Sequence, residues 1–158
     1  MENVKEFYVP KLKNIIDAAN LAEGKLNRYL KETKTRPDIS YELLQILTLS
    51  DDLVELFNPT KSSGEYFGLP KEVVMGSKFP RTITLDNGID FTSWFAEKTT
   101  NIKLGIKRTI KYWEMNPNTL KLVEDAPMSV EDYILDGIFS GLHQVKTYAT
   151  TICDMLEQ

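Results

Sequence analysis

Between Ser129 and Gln158 the chain places Ile134, Ile138, Leu142, Val145, Ala149, Ile152 and Leu156 three or four residues apart. A strand would scatter these residues over both of its faces, because successive side chains alternate. A helix turning about 100° per residue gathers them into one stripe. The spacing therefore predicts a helix over 129–157. Ser129 is its N-cap, and Glu131 and Asp132 sit at the positive end of its dipole. A stripe of that length must be covered, and the natural cover is other helices.

Three further segments carry the same period. Over 9–34, Tyr8, Leu12, Ile15, Ala19, Ala22, Leu26, Leu30 and Thr33 share a face. Pro10 either opens this helix, where a missing N–H costs little, or kinks one that begins at Asn3, and Pro37 closes it. Over 40–57 the stripe is Ile39, Leu43, Ile46, Leu47, Val54 and Phe57, and Asn58-Pro59 ends it. Leu44, Leu49 and Leu56 fall outside that stripe, so this helix is either central or touches a second surface. Over 92–115, Phe91, Phe95, Ile102, Ile106, Thr109 and Trp113 line one face, and Asn116-Pro117-Asn118 stops the helix. Four amphipathic helices, three of them long, predict an all-α fold with minor β content. The expected form is a four-helix up-down bundle, one domain over 1–158.

The minor β content comes from the long connection at 58–91. Within it, TITLDNGIDF (82–91) has alternating runs on either side of Asp86-Asn87-Gly88, the turn residues of a β-hairpin. KSSGEYFGLP (61–70) has loop composition, and VVM (73–75) and LKLV (120–123) read as short extended pieces. An isolated two-stranded ribbon is marginal in water. The 58–91 segment is therefore expected as an arm packed on the spare apolar surface of the second helix, at Leu49 and Leu56.

Charge gives a topological hint. Residues 1–34 carry +2, 35–58 carry −4, 92–115 carry +3 and 129–158 carry −4. An up-down arrangement gives each helix two neighbours of opposite sign, although exposed pairs contribute only about 0–1 kcal/mol each.

The whole chain of 158 residues is 42% apolar and carries a net charge of −4. That excludes global disorder and argues against bulk nucleic-acid binding. Cys153 is the only cysteine, so no intramolecular disulfide and no cysteine-based zinc site is expected. The opening MENVKEFYVP lacks the pattern of a secretory signal, and no apolar run is long enough to span a bilayer. A soluble cytoplasmic protein is the expectation, with no cofactor and no metal.

Candidate chemistry is sparse. His143, the only histidine, falls opposite the apolar stripe, and Asp136 is seven residues away, about 10.5 Å along the axis and too far to share an ion. Asp51-Asp52 with Glu55, and Glu131-Asp132 with Asp136, are acidic clusters, but Asp52, Asp132 and Asp136 point outward. Magnesium sites in helical enzymes need inward carboxylates from two helices.

The most concentrated basic surface is Lys103, Lys107 and Lys111 with Arg108, and Leu104 lies exposed among them. No glycine-rich phosphate cradle and no interleaved aromatic accompanies it. Such a strip suits an acidic protein partner, or serves as a solvated face paired with the acidic helices. Tyr66 and Phe67, between Gly64 and Gly68, are candidate aromatic anchors or a cover for the second helix. Gly137 and Gly141 mark a close backbone approach, inside the bundle or in a homodimer. The second helix is the other candidate dimer face.

Two functions follow. The first is a non-enzymatic protein-binding module, an inhibitor or accessory factor. The second is a helical enzyme or small-ligand bundle that recognises an anionic, phosphate-bearing ligand.

Overall fold

The computed structural model describes residues 2–32, 36–57, 65–66, 69–70 and 92–157. Four α-helices account for most of them: α1 (Glu2–Lys31), α2 (Ser40–Phe57), α3 (Thr92–Trp113) and α4 (Val130–Glu157). α1 packs on α2 and α4, and α3 packs on the same two, so the helices close a ring in chain order.

Paired side chains give the directions. Lys25 meets Glu42 and Lys11 meets Asp52, so α1 and α2 run antiparallel. Lys13 meets Glu157 and Lys146 meets Glu23, so α1 and α4 do as well. Trp113 donates to Ser40 and Lys103 pairs with Asp51 across α2–α3. The bundle is up-down, and ion pairs join its oppositely charged neighbours along three of the four seams.

The α4 stripe is buried along its whole length. At its start the Ser129 hydroxyl accepts a hydrogen bond from the Asp132 N–H at 3.1 Å, which satisfies one of the free donors of the first turn. At the start of α2 the Asp38 carboxylate accepts from the Ser40 N–H at 2.9 Å. Hydrogen bonding from the Ser40 side chain and backbone holds the Asp38 carboxyl below its usual range.

The fourth seam, between α3 and α4, is joined by close backbone approach. A Cβ placed on Gly137 would overlap the Tyr112 ring, and one on Gly141 would overlap the Thr109 hydroxyl. That hydroxyl donates to the Gly105 carbonyl of its own helix at 2.8 Å. The two glycines therefore serve packing inside the bundle. Buried against α3, they are not open to a second copy of the chain.

Several expectations are corrected. α1 spans Glu2–Lys31 and not 9–34, so of the two placements open to Pro10 the one inside the helix holds. Burial offsets the hydrogen bond that proline removes: Tyr8 is fully buried, with its ring 4.6 Å from that of Phe95 across the core. Leu30 is 54% exposed, because the stripe rotates away near the end of α1 and the half-buried Tyr29 covers the core instead. In α2, Leu53 joins the core although the stripe read from the sequence passed it over. Residues 120–123 form no strand, and Val123 is largely exposed.

Glu65–Tyr66 and Leu69–Pro70 pair as a minimal antiparallel ribbon in a stretch that reads as loop. The hairpin expected at 82–91, the VVM strand, Phe67, and the side chains of Tyr66 and Leu56 lie outside the described residues. No described helix is long and apolar enough to cross a membrane.

Candidate functional site

The outer surface of α3 gathers five of the residues singled out by sequence, and the structure divides them. Lys103 points toward α2 and pairs with Asp51 at 2.9 Å, so its charge is already met inside the fold. Arg108 reaches toward α4 and donates to the Gln144 side-chain oxygen at 2.5 Å. Leu104, Lys107 and Lys111 stand on the solvent ridge between these two. Leu104 is 57% exposed. Among the described residues, no carboxylate lies within ion-pair distance of Lys107, Arg108 or Lys111.

The ridge borders an open depression of about 410 Å³ lined by Lys107, Arg108, Ile110, Lys111 and Glu114. Its apolar floor is the half-buried Ile110. Leu44 of α2 adds a second exposed apolar side chain at 60%. It lies four residues after Ser40 and seven before Asp51, on the face by which α2 meets Trp113 and Lys103. That register sets Leu44 level with the middle of the basic ridge.

The end of the bundle that carries the α1–α2 and α3–α4 connections holds a second polar group. The Arg36 guanidinium lies 4.1 Å from the Trp113 ring and donates to the Trp113 carbonyl at 3.3 Å. Tyr29 donates to Glu131 at 3.4 Å, and the rings of Tyr112 and Tyr133 meet edge to face at 5.6 Å. The hydrogen bond with Tyr112 pushes the Tyr133 phenol above its ordinary value.

Nearby, Glu42 is only 4% exposed and is held by Lys25 at 2.5 Å, while its second oxygen is buried without a hydrogen-bond partner. Sequence reading missed this carboxylate. Glu42 sits at the edge of the apolar stripe of α2, and only the docking of α1 shows that it is buried. These groups brace helix ends against one another and line no described cavity.

A shallow depression of about 430 Å³ between α1 and α4 is lined by His143, Lys146, Asn20, Ile16 and three threonines. Lys146 is already engaged, at 2.9 Å from Glu23 and 3.3 Å from Asn20. His143 is exposed, as its position opposite the stripe implies. Asp51 and Asp52 pair with Lys103 and Lys11, so that acidic cluster is used between helices. Among the described residues, no three His, Cys, Asp or Glu side chains converge on a point that could hold a metal ion. Comparison with protein-family models, with curated proteins and with solved structures finds no match to this chain.

Proposed function

We propose that the chain is a non-enzymatic protein-binding module, an inhibitor or accessory factor that acts on another protein in the cytoplasm. Its primary contact is the outer ridge of α3. The observation that carries this reading is Leu104, an exposed leucine on the same ridge as Lys107, Arg108 and Lys111, none of which pairs with a described carboxylate. Exposed apolar area ringed by charge is what a binding surface presents before its partner arrives. The reading gives the 58–91 arm, with its hairpin at 82–91, the second contact, and Tyr66 and Phe67 are its aromatic anchors.

Affinity capture from the source cell tests it, with the parent chain beside a variant carrying Leu104→Ser, Lys107→Glu and Lys111→Glu. All three positions are exposed, so the variant keeps its helical circular dichroism. The reading expects the same identified protein on the parent and its loss from the variant. Equal capture by both overturns it.

The depression beside Ile110 also supports the second reading, in which Lys107, Arg108 and Lys111 hold a phosphate-bearing ligand. A thermal-shift screen with nucleotides, with and without magnesium, separates the two. A rise of several degrees favours the ligand-binding bundle.

A further inference from the structure

We infer that the occupant of the α3 ridge is an acidic amphipathic helix of another protein, laid along the outer face of α3. This rests on the protein-binding reading and names the chemistry of the partner. Leu104 and Lys111 are seven residues apart, about 10.5 Å of helix, or two turns. Within that span lie an exposed leucine at one end, three cations with no carboxylate partner among the described residues, and the apolar floor at Ile110. Leu44, 60% exposed, lies on the face by which α2 meets α3, beside that ridge.

A ligand that matches this surface presents apolar side chains one turn apart to Leu104, Leu44 and Ile110, with carboxylates on both flanks to meet Lys107, Arg108 and Lys111. That is the pattern of an amphipathic helix docked in a groove. A polynucleotide matches it less well. The ridge offers no aromatic side chain for base stacking, its one carboxylate, Glu114, repels phosphate, and exposed leucines give a phosphate chain nothing. A second copy docking through the acidic face of α4 matches it less well too. Asp132, Asp136 and Asp154 supply the charge, but α4 carries no large exposed apolar side chain to cover Leu104.

The test uses the full chain and three synthetic helical probes. The first repeats leucine one turn apart with glutamate on both flanks. The second replaces each glutamate by lysine, and the third replaces each leucine by serine. Titration calorimetry gives affinity, and amide chemical shifts locate the contact. The inference expects the glutamate–leucine probe to bind at least about tenfold tighter than either control, with the largest shifts between residues 104 and 111 and near Leu44. It expects Lys107→Glu with Lys111→Glu to reverse the preference between the glutamate and lysine probes. The charge swap in the probe gives the same answer without any change to the protein.

Equal binding of the glutamate and lysine probes, or shifts centred elsewhere, overturns the inference. So does a short single-stranded oligonucleotide that binds residues 104–111 more tightly than the first probe. Concentration-dependent shifts at 104–111 with no probe present assign the ridge to a second copy and overturn it as well. Should all probes fail while the parent chain captures an identified protein that the ridge variant loses, the acidic-helix inference falls and the protein-binding reading stands. Failure of both experiments removes both.

Discussion

A Cβ on Gly141 would occupy the space of the Thr109 hydroxyl. The α3–α4 seam is therefore packed to the point where one methyl group has no room. Gly141→Ala is expected to destabilise the protein by about 1–3 kcal/mol through overpacking, even though alanine is the better helix former. Thr109→Ala in the same chain should recover much of that loss, because the two substitutions share one contact. Gly24 is the control: its Cβ would meet nothing within 4 Å, so Gly24→Ala should stabilise by about 0.5–1 kcal/mol. Thermal melts of the three variants check the set.

Among the ion pairs described, Lys25–Glu42 has the most buried carboxylate, 6% exposed beside a lysine 37% exposed. Lys25→Met leaves a buried carboxylate without its cation and should cost about 1–3 kcal/mol. The double variant Lys25→Met with Glu42→Leu removes both charges and should be more stable than the single one. Denaturant titrations decide this, and a double variant weaker than Lys25→Met would show that the pair is not the determinant.

Cys153 is buried on α4, and its thiol is pushed up to about 11, first by desolvation and then by the Glu157 charge. The folded state thus binds this proton more tightly than the unfolded chain. The resulting stabilisation is fully present below pH 9 and is lost as pH rises through 11. Between those limits the parent should lose more stability than Cys153→Ala. Alkylation of the native thiol at neutral pH should be far slower than in denaturant.

The residues that made the fold legible in the sequence are those whose partners are local. Ser129 caps α4 within its own first turn, and Asn58-Pro59 follows the last residue of α2. The ring of alternating charge was readable because neighbours in chain order are neighbours in space. What failed depended on distant packing. Which of the two placements of Pro10 holds was not readable locally: the helix continues before it, and there Tyr8 meets Phe95, 87 residues away in sequence. The exposure of Leu104 followed from its wheel position alone. The engagement of Lys103 by Asp51 required knowing which side of α3 faces α2, so the basic strip looked more uniform in sequence than it is in space.

That division of the strip predicts unequal effects. Lys107→Glu and Lys111→Glu should slow association with the partner, most clearly below about 0.15 M salt, because screening mutes exposed charges above it. Lys103→Gln should leave binding kinetics unchanged and lower stability slightly, since its charge serves the α2–α3 seam. Surface plasmon resonance across a salt series, alongside thermal melts, distinguishes the two classes.

The central claim is that the α3 ridge is covered by another protein in the cell. A photo-reactive amino acid placed at Leu104 and, as a control, at exposed Asn27 of α1 tests it in the native environment. The account predicts one dominant cross-linked protein from position 104 that is absent from position 27, and loses it with Lys107→Glu and Lys111→Glu. No protein cross-link at 104 above the yield at 27 would contradict it.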